Sequence, residues 1–126
     1  MRATMEAGGA ARHLLLVEGD AGRRKSLGFV LGLSGYRVTP VRTPFEALDW
    51  AVKRQGTAEP FSAVVVGSLA PPHGPQWLMD RLARAVAAIP VVLVDEGKPA
   101  AAEQGGMVIV CWPEEVAAML ETLQER

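Results

Sequence analysis

The amino-acid sequence predicts an α/β fold, a doubly wound five-stranded parallel sheet with helices on both faces. Five short runs rich in β-branched residues are almost continuously apolar, which is typical of strands buried on both faces of a parallel sheet. Segments with helical periodicity lie between these runs, so strand and helix alternate along the chain. The predicted strands span residues 13–17, 36–41, 61–66, 90–94 and 107–110.

The first two predicted helices begin on polar capping residues. Asp20 can cap a helix over about residues 22–34, and Gly35 can end it because glycine adopts the left-handed conformation at little cost. The sequence Thr-Pro-Phe-Glu at residues 43–46 places a hydroxyl at the cap, proline in the first helical position and glutamate three residues past the cap. This pattern predicts a capping box at the start of the second helix.

The third and last helices begin at proline. Gly74 and Pro75 start the third helix, and Pro113, followed by two glutamates, starts the last one, where acids favour the helix dipole. Apolar residues at helical spacing predict their buried faces. They are Leu78, Leu82, Val86 and Ile89 on the third helix and Val116, Leu120 and Leu123 on the last.

Length and composition limit the number of domains and the kinds of partner that the chain can have. With 126 residues the chain suits one domain, so we expect a flexible tail over residues 1–12 and a domain over residues 13–126. No apolar run approaches the ~18 residues of a membrane helix, and a net charge of -1 argues against a nucleic-acid partner. A single cysteine excludes an internal disulfide and a cysteine-rich zinc site. The expected location is the cytoplasm.

Charge is distributed unevenly along the chain. Residues 1–54 hold nine Lys/Arg and five Asp/Glu, whereas residues 55–126 hold four and nine, so the halves carry +4 and -5. Residues 23–25, Arg-Arg-Lys, open the first helix. Glu18 and Asp20 could neutralise this cluster locally, or it could contact an acidic partner or the acidic half of a second copy.

A functional site in such a sheet lies at the carboxyl ends of the strands, next to the point where the strand order reverses. For the order 2-1-3-4-5 that point lies between the first and third strands. The residues that follow the strands are therefore the candidates. They are residues 18–20, 67–68, 95–96 and 111–112.

Over residues 13–125 the sequence resembles bacterial response-regulator receiver domains, which act in two-component signal transduction. The resemblance implies a flavodoxin-like fold and rests on six landmarks that occur in the family's order. They are residues 14–20 (Leu-Leu-Leu-Val-Glu-Gly-Asp), Gly35 to Val38, Glu46 to Leu48, residues 61–66 with Pro71, Ile89 to Val94, and Pro113.

The residues that such a family uses for chemistry are largely replaced. The resemblance implies an acidic pair that holds magnesium after the first strand and a phosphoaccepting aspartate after the third. It also implies a hydroxyl residue after the fourth strand and a lysine after the fifth. At these positions the sequence has Glu18 and Gly19, then Gly67, Asp95 and Trp112. The stretch from Asp95 to Trp112 is also shorter than in the family, so we expect the fourth helix to be short or missing.

These replacements predict a pseudo-receiver without the usual phosphorylation. Gly67 offers no carboxylate to phosphorylate, and Trp112 places an apolar ring where a cation is needed. Too few acidic ligands remain for magnesium, so we expect no metal and no cofactor. Ser68 beside Gly67 has no evident general base in the sequence and is predicted to be a turn residue.

The favoured function is a non-catalytic regulatory module that contacts proteins, because the sequence shows no nucleophile paired with a base and no phosphate-binding glycine loop. The partner is unidentified, and a homodimer through an outward helix is expected. The helical periodicity predicts that Phe45 and Val52 face inward. The predicted interaction surface comprises Phe29, Leu33, Trp50 and Trp77.

Two alternatives stay open for the carboxyl ends of the strands. A small-molecule or ion sensor could use the crevice above Gly67 and Trp112, where a missing side chain leaves room. Four acids, Glu18, Asp20, Asp95 and Glu96, could supply ligands for a divalent ion. The simpler expectation is that Asp20 caps a helix and that the other three are solvated.

Overall fold

A computed structural model describes residues 12–86, 89–94, 102–104, 107–110 and 115–124. In these residues strands and helices alternate as the sequence predicts, except for one additional strand near the end. In chain order they are β1 (His13–Val17), α1 (Ala21–Leu33), β2 (Arg37–Val41), α2 (Pro44–Arg54), β3 (Ala63–Val66), α3 (Pro75–Ala85), β4 (Val91–Val94), β5 (Ala102–Gln104), β6 (Met107–Val110) and α4 (Glu115–Gln124).

The strands form one sheet in the order β2-β1-β3-β4-β6-β5. The pairs from β2 to β6 are parallel, which confirms the predicted order 2-1-3-4-5 for the five predicted strands. The edge strand β5 pairs antiparallel with β6, with Gln104 opposite Met107. Two glycines separate these residues in the sequence, a length and composition typical of tight hairpin loops.

The strand β5 lies in the stretch where a short or missing fourth helix was expected. Residues 102–104 form a strand, and residues 95–101 lie outside the described part of the chain.

Helices cover both faces of the sheet, as predicted. Every residue of β1 and β3 is buried, and alternate residues point to opposite faces. Leu14 and Leu16 pack with α1 and α4, whereas Leu15 and Val17 pack with α2 and α3. The near-continuous apolar strands thus serve two cores at once. Among the described helices, none is both long and apolar enough to cross a membrane.

The predicted caps are present. The Asp20 carboxylate accepts a hydrogen bond from the Arg23 backbone N–H at 3.0 Å, and α1 ends before Gly35, whose φ is +94°. At α2 the Thr43 hydroxyl accepts from the Glu46 N–H, and the Glu46 carboxylate accepts from the Thr43 N–H, each at 3.2 Å. Both helix starts are therefore fixed by local sequence, and both lie at the carboxyl edge of the sheet.

Two residues of α2 are exposed, although the sequence predicts that they face inward. Phe45 and Val52 have exposed fractions of 54% and 43%. The Phe45 ring lies at the start of α2 and contacts His73 and Trp77, with ring centroids 4.8 and 5.1 Å away. Helical periodicity predicted the wrong side for Phe45, because a residue in the first turn of a helix can contact the preceding and neighbouring loops instead of the core.

His13, at the start of β1, is a buried polar residue with an exposed fraction of 8%. Its Nε2 lies 2.7 Å from the Thr39 hydroxyl, and its Nδ1 has no hydrogen-bond partner among the described residues. Burial lowers the pKa of His13 below 6.5, and the nearby guanidinium groups of Arg37 and Arg54 lower it further against the opposing charge of Glu59. The folded domain therefore favours the neutral imidazole.

We expect the free energy of unfolding to fall as the pH drops below about 6.5. In that range the unfolded chain protonates His13 while the folded domain resists protonation, so acid favours unfolding by up to ~1.4 kcal/mol per pH unit. Urea unfolding between pH 7 and pH 5 measures the slope.

The variant His13→Gln should flatten this slope. An unchanged pH dependence in His13→Gln would show that His13 does not resist protonation in the folded domain.

Candidate functional site

Two predicted site segments meet at the carboxyl edge of the sheet. Glu18 and Gly19 follow β1, and Gly67 and Ser68 follow the adjacent strand β3. Backbone hydrogen bonds join the segments: the Gly67 N–H donates to the Val17 carbonyl and the Gly19 N–H donates to the Ser68 carbonyl, each at 2.8 Å. The other two predicted positions, Asp95 and Trp112, lie outside the described residues.

The Glu18 side chain is fully buried, so the expectation that it is a solvated loop acid is wrong. Its carboxylate accepts four hydrogen bonds. The backbone N–H groups of Asp20 and Ser68 each donate at 2.9 Å, and the Arg23 Nε donates at 3.2 Å. The Ser68 hydroxyl donates the fourth hydrogen bond. This donor set replaces the water that burial removes.

These donors keep the buried carboxylate ionised. Burial alone raises the pKa of Glu18, but the hydrogen bonds from Ser68, Asp20 and Arg23 outweigh it, so the pKa lies below 4.5. Arg23 also provides the compensating charge, with its Nε 3.2 Å from Oε1. A fully buried charge is tolerated only with such pairing.

The basic cluster at the start of α1 is largely engaged inside the domain. In addition to the Arg23 ion pair, the Arg24 guanidinium donates to the Glu18 carbonyl at 3.1 Å. The third member, Lys25, is exposed. Of the two alternatives for this cluster, local neutralisation by Glu18 describes Arg23, whereas Arg24 hydrogen-bonds a backbone carbonyl.

Gly67 is a glycine for a steric reason. A Cβ atom placed there would lie 1.9 Å from Glu18 Oε1 and 2.9 Å from its Cδ, both far inside van der Waals contact. The Glu18 carboxylate therefore occupies the space in which any side chain at position 67 would begin. It also fills the room beside Gly67 that the small-molecule crevice would need.

Ser68 has a role that sequence analysis missed. The sequence predicted only a turn residue, because no general base is evident near it. In the structure its backbone N–H and its hydroxyl both donate to the Glu18 carboxylate. The two residues are 50 positions apart, so only the adjacency of β1 and β3 could have indicated the contact. Glu18 is a weak base here, because its pKa is lowered and four donors share its lone pairs.

The divalent-ion alternative finds little support in the described part of the chain. Asp20 caps α1, as expected, and Glu18 is enclosed by donors. Within residues 12–86, 89–94, 102–104, 107–110 and 115–124, no three His, Cys, Asp or Glu side chains form a group suited to a metal. The remaining two acids, Asp95 and Glu96, lie outside the described residues.

The four residues of the predicted interaction surface do not lie together. Phe29 and Leu33 on α1 are 68% and 73% exposed. In contrast, Trp50 and Trp77 are half-buried and pack against the core between the sheet, α2 and α3, on the opposite face. The exposed apolar surface at these positions is therefore confined to α1.

Comparison with known proteins identifies the fold. No family model and no curated protein matches the chain. Among solved structures, the receiver domain of a sensor histidine kinase from Pseudomonas aeruginosa, with magnesium coordinated in its active-site cleft, is similar at a TM-score of 0.72 and 20% identity. The match covers 93% of this chain and all of that one.

Two further receiver domains show the same similarity. That of the histidine kinase CKI1 from Arabidopsis thaliana, complexed with Mg²⁺ and BeF₃⁻, matches at a TM-score of 0.73 and 16% identity, over 91% of each chain. That of the hybrid histidine kinase CckA matches at 0.66 and 18%, over 90% of this chain and 96% of that one. The chain thus has the receiver-domain fold that the sequence resemblance implied.

We expect Gly67→Ala to lower the free energy of unfolding by about 1–3 kcal/mol, because the new methyl group would overlap the Glu18 carboxylate. Removing that carboxylate should relieve the overlap, so the same substitution in a Glu18→Ala background should cost less than ~1 kcal/mol. Denaturant unfolding of the two single variants and the double variant measures this coupling.

Gly22→Ala is a matched control, because a Cβ there meets only an ordinary contact of 3.6 Å with Asp20. It should leave stability unchanged or slightly raised. Equal costs of Gly67→Ala in the two backgrounds would show that Glu18 does not fill this space.

Proposed function

We propose that this domain is a regulatory module of signal transduction that contacts other proteins and is not switched by phosphorylation at the carboxyl edge of its sheet. The observation that carries the proposal is the position of the Glu18 carboxylate, in the space where a side chain at residue 67 would begin. The receiver fold supports the signalling role, since the similar domains belong to histidine kinases.

The chemistry of phosphoryl transfer supports the loss of switching. Transfer to a carboxylate requires an accessible nucleophilic oxygen and cations that neutralise the developing charge. Gly67 has no side chain, and the carboxylate that lies against it among the described residues, that of Glu18, is fully buried with four hydrogen-bond donors around its oxygens. An incoming phosphoryl donor would have to displace these donors before it met an oxygen.

The local charge also differs from what a magnesium-dependent site requires. The Pseudomonas aeruginosa and Arabidopsis thaliana domains have magnesium in their structures. In this chain the carboxylate at the edge of the sheet already has a cation, the Arg23 guanidinium, at 3.2 Å. A divalent ion at Glu18 would have to displace Arg23 and the backbone donors, and the described residues of the site offer no group of three metal-ligating side chains.

A domain of this fold that catalyses no reaction can transmit a signal only by contact with other proteins. Its two cores are closed by helices, and α1 presents large apolar side chains to solvent. Such side chains are typical of contact surfaces.

We expect no mass gain when the protein is incubated with magnesium and a small phosphodonor such as acetyl phosphate, because Gly67 has no side chain and the Glu18 carboxylate is buried among hydrogen-bond donors. Intact-mass spectrometry measures the result. A gain of one phosphoryl group that maps to Glu18 or to another Asp or Glu of this edge would contradict the proposal.

A binding experiment gives an independent readout. Titration with Mg²⁺ and BeF₃⁻ should not raise the melting temperature of this protein. The Arabidopsis thaliana domain, which holds both ions in its structure, is the positive control. Saturable stabilisation of this protein by the two ions would also contradict the proposal.

A further inference from the structure

The outward face of α1 has large apolar side chains at its centre. Apart from Lys25, the other residues of this face are small. The exposed residues of this helix recur at helical spacing and form one stripe. They are Ala21, Gly22, Lys25, Ser26, Phe29, Gly32 and Leu33. Phe29 and Leu33, four residues apart, project side by side and are the two most exposed large apolar side chains of the described residues.

Glycines beside this apolar pair have no explanation within the described part of the chain. Gly28 and Gly32 lie inside a 13-residue helix, where glycine is less favourable than alanine. A Cβ atom at either position would meet nothing within 4 Å. Packing inside the domain therefore does not require glycine there, whereas close approach of a second backbone would.

We infer that α1 pairs with α1 of a second copy, antiparallel and about a two-fold axis. The helix carries both halves of the contact: Phe29 and Leu33 lie on one ridge, and Gly28 and Gly32 lie on the next. A two-fold interface must be complementary to itself. In the antiparallel arrangement, the side chain of Phe29 in each copy fits over Gly32 of the other.

The charges of the helix favour this orientation. All three basic residues of α1 lie in its first half, at residues 23–25, and its last turn contains no basic residue to offset the negative end of the helix dipole. Antiparallel pairing places the exposed Lys25 of one copy near that end of the other. Parallel pairing would instead bring the two basic clusters together.

The expected dimer is weak and depends on concentration. A helix of 13 residues is only about 20 Å long, so one helix pair buries less than the ~1,200–2,000 Å² of a standard interface. We therefore expect dissociation in the micromolar range. The inference rests on the proposed contact function, for which it names one partner, and none of the residues that its test replaces belongs to the Glu18 site.

Sedimentation velocity from about 1 μM to 1 mM should show a shift from monomer to dimer in the parent protein. Phe29→Gln should weaken the dimer about tenfold or more, because Phe29 lies at the centre of the contact. Val52→Gln is the matched control: it also replaces an exposed apolar helical residue, but on the other face of the sheet, and should leave the dimer unchanged.

Gly32→Ala separates an interface from a structural effect. In dilute, monomeric protein it should raise the melting temperature, because alanine favours the helix and the new methyl group meets nothing. At high concentration the same variant should dimerise about tenfold more weakly, because the methyl group lies under the partner's ring. If Gly32 had only a structural role, Gly32→Ala would change the melting temperature without weakening the dimer.

A parent protein that stays monomeric to 1 mM, or a dimer that survives both Phe29→Gln and Gly32→Ala, would overturn this inference. Either result would leave the proposed function standing, because that proposal is tested by phosphoryl transfer and ion binding at Glu18. Conversely, phosphorylation at the Glu18 site would overturn the proposed function without altering the sedimentation result.

Discussion

The burial of one charged group, the Glu18 carboxylate, constrains the carboxyl edge of the sheet at β1 and β3. A buried charge is stable only if donors surround it, and here they come from the first turn of α1 and from the segment after β3. The same carboxylate leaves no space for a side chain at residue 67. Gly67, Ser68 and Arg23 thus form one unit with Glu18, and a change in any of them leaves another group unsatisfied or overcrowded.

The fold could be predicted from local sequence because its signals are local. Near-continuous apolar runs specify strands that are buried on both faces, and the caps at Asp20 and Thr43 need only residues within one helical turn. Strand β5 was missed because three residues give too little periodicity to predict a strand. Phe45 was misplaced because its neighbours, His73 and Trp77, belong to another part of the chain.

The candidate site could be located but not described from the sequence. Strand order brings residues 18 and 67 together, and the absence of a carboxylate at residue 67 is visible in the sequence itself. The burial of Glu18 was not visible, because glutamate is almost always exposed unless it is paired. Its partners lie as far as 50 residues away, and only the three-dimensional arrangement shows that four donors converge on it.

The ion pair at this site also differs from a metal complex in its thermodynamics. Arg23 is held five residues from Glu18 on the same chain, so its effective concentration does not change when the solution is diluted or a chelator is added. Under the proposed function, the loops that it joins do not respond to the supply of divalent ions or of phosphodonors. A domain that is not switched by phosphorylation changes its output only when its own concentration or that of its partner changes. The rates of synthesis and degradation of the chain then set the strength of the signal.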